Sequence, residues 1–387
     1  MQSVQALMSP LGDISGGAVM RSIAIIFLIL ALTLPLSACK KQDTITIAIA
    51  GPMSGPEAKM GTDFKNAVTL AVEEWNEKGG VLGKRIKIAV GDDQSDPKQA
   101  VAVANRFVTQ GVIAVIGHFD SSCSIPASDI YNRADIPMIT PASTNPQLTE
   151  RNYKNVFRIC GRDDQQGMIG AEFIKKRLGL KRIAIIHDRS TYGQGLADEV
   201  KRHLEGHAQI VYYGGITKGE QDFKPVLTAI KEKSPELIYF GGIYPEAGLI
   251  IKQARELGIK ALFMSGDGTI DPKFIEIAGQ AAEGTYLTFG QDPEKLSSAK
   301  EFLKKYREKF GEPGPYSIYA YDATNVLLTA IKEAGTLDGK AISQKLHEME
   351  FKGALGDIKF DQKGDVVKSP YVVWITKNGR FEEYWKP

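Results

Sequence analysis

Ile45-Thr-Ile-Ala-Ile-Ala50, closed by Gly51, is followed by Arg85-Ile-Lys-Ile-Ala-Val90 and then by Val112-Ile-Ala-Val-Ile-Gly117. Short apolar runs bounded by glycine or polar turns read as strands buried on both faces. Between the first two, Phe64, Ala67, Val68, Ala71, Val72 and Trp75 recur at helical spacing with charges between them, and Gly79-Gly80 supplies a stop. Between the second and third, Asp96-Pro97 introduces a helix expected to run to about Gln110. The order is β-α-β-α-β, the signature of a parallel sheet covered by helices.

Working outward, a helix after Ser121 and a strand from Ile136 to Thr140 extend the series. A second series opens at Arg182-Ile-Ala-Ile-Ile-His187. It holds a helix from about Gln194 to Leu204, strand Gln209 to Tyr213, helix Asp222 to Lys233, strand Leu237 to Phe240, helix Pro245 to Leu257 and strand Ala261 to Met264. Helices follow near Ser297 to Phe310, Tyr316 to Glu333 and Gly339 to Glu348, then strand-like runs at Asp357 to Phe360, Tyr371 to Thr376 and Arg380 to Tyr384. Two series imply an α/β protein of two doubly wound parallel-sheet lobes. No long Pro- or Ser-rich linker separates them, so the lobes are expected to be joined by several short crossings that act as a hinge.

A chain of 387 residues can supply two cores. Lys plus Arg number 48 against 46 acids, a net charge of +2 that argues against a nucleic-acid partner. Ahead of the first strand, Arg21 and the apolar run Ile23 to Leu32 lead into Leu36-Ser37-Ala38-Cys39. The run is shorter than the roughly 18 residues a membrane-spanning helix needs, and the order of basic residue, apolar core and small residues is that of a secretory signal. The last four residues resemble a bacterial lipobox, which makes 20–38 a signal peptide, Cys39 the lipidated first residue and 39–44 a tether; 1–19 are read as untranslated, with Met20 the true start. Outside Cys39 only Cys123 and Cys160 remain, and their pairing is left open by the sequence.

Candidate chemistry is sparse. Gly79-Gly-Val-Leu-Gly-Lys84 lacks the spacing and hydroxyl of a phosphate loop, and Gly193-Gln-Gly195 lacks the third glycine of a dinucleotide fingerprint. His203 and His207 do not form His-Glu-x-x-His, no zinc spacing is present, and His118 and His187 end strands without an evident nucleophile. No metal and no cofactor are implied. The informative stretches are Gly117-His-Phe-Asp-Ser-Ser122 and Pro141-Ala-Ser-Thr144, each just past a strand. A helix start offers free N–H groups to a carboxylate, although ordinary helix capping also explains one such hydroxyl cluster. Asp188 to Gly195 and Ser265-Gly-Asp-Gly268 lie at strand ends of the second series, where open α/β sheets bind ligands. Asp267 is there either a solvated turn residue or a partner for a cation.

Read in order, these residues resemble the branched-chain amino acid binding proteins of bacterial ABC transporters, with the type I periplasmic binding fold. The resemblance is carried by Ala50-Gly-Pro-Met-Ser-Gly55, Asp92-Asp93, Asp96-Pro-Lys-Gln-Ala-Val-Ala-Val-Ala-Asn105, Gly117-His118, Pro126-Ala-Ser-Asp-Ile-Tyr131, Met138-Ile-Thr-Pro-Ala142, His187-Asp188, Tyr192-Gly193, Gly195-Leu-Ala197, Gly241-Gly242 and Pro245-Glu246. It implies a binding protein, not an enzyme. Ser121, Ala142 and Thr144 would hold the α-carboxylate and α-ammonium of an amino acid, Tyr192 would close over it, and Asp267 would pair with the ammonium where leucine-type binders usually have Glu. Phe119 and Asp120 would also contact the ligand, and the side-chain pocket is altered at Met60, which stands where the family commonly has Tyr, and at Ile243, which replaces an aromatic. The family's disulfide positions hold Ser95 and Asp120, so that bridge cannot form.

The lobes implied are 45–161 plus 291–367 and 162–290 plus 368–387. The function expected is high-affinity capture of a small, branched-chain or aliphatic amino acid in the periplasm by a monomeric, membrane-anchored lipoprotein that delivers it to the ABC permease. The alternatives are another small ligand (an amide, a hydroxy or keto acid, an aromatic acid), a ligand-sensing subunit for a receptor, and a Rossmann-type enzyme.

Overall fold

The computed structural model describes residues 43–387. The signal segment, Cys39 and most of the tether lie outside the described residues, and no described helix is long and apolar enough to cross a membrane.

The first half is built on β1 (Thr44–Gly51), α1 (Ala58–Glu77), β2 (Arg85–Asp92), α2 (Pro97–Thr109), β3 (Val115–Ile116), α3 (Ser121–Arg133), β4 (Met138–Thr140) and β5 (Val156–Arg158). Its five strands are all parallel, in the order β2-β1-β3-β4-β5. Ile47, Ala48 and Ile49 of β1 are fully buried, as the continuous apolar run requires of a strand covered on both faces. α1 buries Phe64, Ala67, Val68, Ala71 and Val72, and Gly61 lets it approach the end of β1 closely: a Cβ there would stand 2.1 Å from the Pro52 carbonyl oxygen. Asp96 caps α2 by accepting from the N–H groups of Lys98 and Gln99, with Pro97 opening the helix.

β3 is shorter than its apolar run. Val112 N–H donates to Phe107 O and closes the preceding turn, while Ile113 N–H donates to Thr46 O and Ala114 O accepts from Ala48 N–H, so the run already lies along β1 ahead of the two residues that also pair with β4. β5 has no counterpart in the sequence reading because it is three residues long and ends in an arginine, too short for periodicity to mark it.

The second half holds α4 (Asp163–Glu172), β6 (Arg182–His187), α5 (Thr191–Leu204), β7 (Gln209–Gly215), α6 (Lys224–Glu232), β8 (Leu237–Gly241), α7 (Tyr244–Glu256), β9 (Leu262–Ser265), α8 (Pro272–Ala278) and β10 (Tyr286–Phe289). Next come α9 (Lys300–Phe310), α10 (Ser317–Ala334), α11 (Gly339–Glu348), β11 (Glu350–Gly353), β12 (Gly356–Lys359), β13 (Val372–Lys377) and β14 (Arg380–Trp385). Of these, α9 and α10 pack back on α1.

The second sheet runs β14-β13-β10-β9-β8-β6-β7. Its five strands from β6 to β10 are parallel, while β13 joins β10 and β14 antiparallel, so the last two strand-like runs extend this sheet as a hairpin edge. The run near Asp357 to Phe360 instead pairs with β11 as a separate two-stranded ribbon. Its partner Glu350-Phe-Lys-Gly353 has too little alternating hydrophobicity to be read as a strand. Cys123 and Cys160 are buried and free.

Candidate functional site

The strand ends of the two sheets face one another across a small cavity. Phe119, Asp120, Ser121 and Ala142 line it from the first sheet, Tyr192, Ile243, Asp267 and Gly268 from the second, and Tyr316 closes one side. About 10 Å³ is free, room for roughly one water molecule. Seven of the nine lining residues belong to the stretches singled out past strand ends and Ile243 comes from the family resemblance; Tyr316, at the foot of α10, belongs to neither.

The first wall is a backbone surface. α3 begins at Ser121, and Asp120 at its cap makes no side-chain capping bond, so the helix start is not stoppered by its own cap. Ser121 Oγ accepts from Asn145 N–H at 3.2 Å and keeps its own proton to give. The loop after β4 is shaped by Thr140, whose Oγ1 donates to His118 O and accepts from the N–H groups of Ala142 and Ser143. Thr144 is fully buried just beyond, its hydroxyl beside the buried carboxyl of Asp163.

That loop is pinned from behind by Arg158, a residue the sequence did not single out. Fully buried, its guanidinium donates to Ser143 O at 3.0 Å, Asn145 O at 2.8 Å, Thr149 Oγ1 at 2.7 Å and Asp365 Oδ1 at 2.7 and 2.9 Å. Burial works against the ionised Asp365, but Arg158 and Arg162 outweigh it and hold its carboxyl below the ordinary carboxylate range. An arginine in a three-residue strand carries no signal of this role, because its counter-ion lies 207 residues away.

The second wall is made of side chains. Asp267 is 2% exposed, which removes the solvated-turn reading. Its Oδ1 accepts from Tyr192 OH at 2.7 Å and Gln166 Nε2 at 2.9 Å, and its Oδ2 from Tyr316 OH. Tyr192 OH in turn accepts from Gly268 N–H at 2.9 Å. Burial pushes the Asp267 carboxyl up, against the three donors that favour its ionised form. Fully buried Asp163, at the start of α4, is pushed up by the same burial and by the charge of Asp267. Tyr316 packs edge-on against Phe64, Phe119 and Phe289, giving the cavity an aromatic flank.

Two further groups touch across the closed cleft: Asn145 Nδ2 donates to Thr191 O at 2.8 Å, and Thr191 N–H to Ser122 Oγ at 3.1 Å. Met60 is fully buried in α1 and, like Thr144, stands outside the cavity lining. His118 is clamped between Asp93 at 2.6 Å and Tyr131 OH at 3.1 Å beneath the α3 start, a structural role that also accounts for the Asp93 and Tyr131 motifs. Asp92 accepts from the N–H groups of Met53 and Ser54 and so fixes the loop after β1. Among the described residues, no group of three or more His, Cys, Asp or Glu is placed to hold a metal.

Two parallel-sheet halves meeting at their strand ends over a helix start on one side and a buried carboxylate on the other define a solute-binding clamp. The chain belongs to the periplasmic binding protein family, whose model matches residues 44–380. It is 43% identical over 342 residues to the Leu/Ile/Val-binding protein homolog 2 of Brucella abortus, covering 88% of this chain and 92% of that protein. It is 42% identical over 334 residues to an amino acid binding protein of Pseudomonas aeruginosa, covering 85% and 89%. Among solved structures, a leucine binding protein from Thermotoga maritima aligns with a TM-score of 0.83 and 35% identity, over 89% of this chain and 99% of that one. The branched-chain amino acid transporter substrate binding protein from Streptococcus pneumoniae, in complex with isoleucine, aligns with a TM-score of 0.82 and 31% identity, over 89% and 100%. The family is one of binding proteins, not enzymes, and works outside the cytoplasm.

Proposed function

We propose that this protein captures a small aliphatic amino acid outside the cytoplasm by closing its halves over it, and hands it to the permease of an ABC transporter. The observation that carries this reading is the pairing, across one cavity, of the α3 start with the buried carboxylate of Asp267. A zwitterion presents one charge to each wall: its carboxylate to Ser121, Thr144 and the helix N–H groups, its ammonium to Asp267. Ala142 and Tyr192 complete the grip on the polar end, and Phe119, Ile243 and Tyr316 supply an apolar side-chain compartment that Met60 backs. The Brucella and Pseudomonas relatives, named for Leu/Ile/Val or amino acid binding, support the same ligand class.

With about 10 Å³ free in the closed cleft, an amino acid enters only when the halves part. The moving bodies are taken as 45–161 plus 291–367 and 162–290 plus 368–387, a division supported by the two separate sheets and by α9 and α10 packing on α1. The mature protein is taken to be a monomer beginning at acylated Cys39. Intact-mass measurement of membrane-extracted protein tests that end: a soluble product retaining residues 20–38 would rule it out. Mass spectrometry of the solute released from purified, denatured protein, followed by calorimetry with that solute, tests the function. Release of no amino acid, together with no heat from any aliphatic one, would overturn it.

A further inference from the structure

At the mouth of the cleft one lysine reaches from the second half to two acids of the first. Lys218 stands in the loop between β7 and α6, and its Nζ lies 2.8 Å from Glu57 Oε1 and 3.4 Å from Asp120 Oδ2. Glu57 immediately precedes α1, and Asp120 lines the ligand cavity. The two acids are nearly inaccessible, at 3% and 9% side-chain exposure, while the lysine keeps 34%. The loop that carries Lys218 is itself held on α7: Gly219 N–H donates to buried Glu246 at 2.8 Å, and Gln253 donates to Gln221 O at 2.7 Å and accepts from Phe223 N–H at 2.7 Å. On the other side Ser95 Oγ donates to Glu57 at 2.6 Å, and Tyr244 OH donates to Pro56 O at 2.7 Å from across the cleft. The Lys218 loop on α7 and Glu57 on Ser95 are therefore each held within their own half, whereas the Tyr244–Pro56 bond forms only when the halves meet.

We propose that Lys218 is the latch of the closed clamp: its ammonium joins Glu57 and Asp120 across the cleft mouth, holds the halves together and neutralises the acidic edge of the ligand cavity. Three carboxylates, Glu57, Asp120 and Asp188, surround this one cation. Burial and then the charge of Asp120 push the Glu57 carboxyl up to about 8, and burial pushes Asp188 up to about 6, while the charge of Lys218 works against both shifts and favours the ionised acids. Without it, closure would bury acids against one another with no counter-ion. The cavity edge would then disfavour an aliphatic side chain and favour one ending in a cation.

This latch rests on the closing-clamp reading above, and small-angle scattering separates the two. Wild type, Lys218→Met and Lys218→Arg are compared without solute and with an equimolar mixture of the protein amino acids, at about 20 and about 500 mM NaCl, where screening lengths differ several-fold. The expected result is that Lys218→Met needs about tenfold more solute than wild type for the same contraction at low salt. The gap narrows at high salt, and Lys218→Arg recovers most of it; a purely structural lysine would show neither behaviour. Equal midpoints for wild type and Lys218→Met at both salts overturn the latch. If the wild type does not contract with amino acids, the ligand reading fails, and the solute-free radii decide: a larger radius for Lys218→Met supports the latch, equal radii overturn it.

Discussion

The two walls of the cleft meet at the same cavity but are made in opposite ways. The first is mostly backbone: a strand ends, a helix starts at Ser121, and a second loop over 141–145 is folded onto it, with one buried arginine pinning that loop from behind. The second wall is a carboxylate gripped by Tyr192, Gln166 and Tyr316, brought from sequence separations of 75, 101 and 49 residues. Their electrostatics differ in sign as well. Asp365, behind the first wall, is held in its ionised form by two arginines, whereas Asp267, in the second, is pushed by burial toward its protonated form. A neutral backbone surface suits an anion and needs only rigid support, while a buried acid stays strained until a cation arrives.

The strongest way to break this contrast is to remove the pin. Arg158→Met leaves Asp365 buried beside Arg162 alone and frees the 141–145 loop. Removing one partner of a buried pair typically costs about 3 to 5 kcal/mol, so chemical denaturation should show a loss of that order together with loss of solute binding. Full binding at wild-type stability would mean the loop holds its shape unaided.

Next in size is Asp267→Asn. It should weaken an aliphatic amino acid by about thirty-fold or more, from roughly 2 to 5 kcal/mol for a buried ammonium left unpaired, while sparing the matching keto acid. Calorimetry on the folded variant checks both, and unchanged affinity for the amino acid would take Asp267 out of the site.

A pH titration sharpens the comparison between the two acids. Because burial holds the folded Asp267 carboxyl above the ordinary carboxylate range, amino acid affinity should begin to fall, as pH is lowered, earlier than an ordinary carboxyl would allow; Asp267→Asn should abolish that dependence. In the ligand-free protein the sign reverses: the stability from protonated Asp267 is fully present below its unfolded value and is lost as pH rises through the folded one. Asp365, depressed in the fold, contributes stability above its unfolded value that is lost only as pH falls through the folded value, so acid denaturation should lose part of its slope in Asp365→Asn.

The smallest effect belongs to the first wall's own hydroxyl. Ser121→Ala removes one hydrogen bond among several backbone donors and should weaken binding by about tenfold at most, from roughly 0.5 to 1.5 kcal/mol. A loss as large as that of Asp267→Asn would mean the serine, and not the helix start, carries the carboxylate.

The sequence by itself determined the parallel sheets, most of their helices and the first wall. Those features are local: Ile45 to Ala50 is apolar without a break, Asp96-Pro97 caps and opens its own helix, and Ser121 follows directly on a strand's end, so short windows of residues hold all the information they need. It also pointed to Asp267 and Tyr192, through the strand-end loops and the family resemblance. Only the tertiary structure decided that Asp267 is buried instead of solvated, that Tyr316 and Gln166 share it, that Arg158 meets Asp365, and that Lys218 spans the mouth. Each of these is a contact between groups far apart in the chain, and a charged or polar side chain in an unremarkable window reads as exposed until its distant partner is folded onto it.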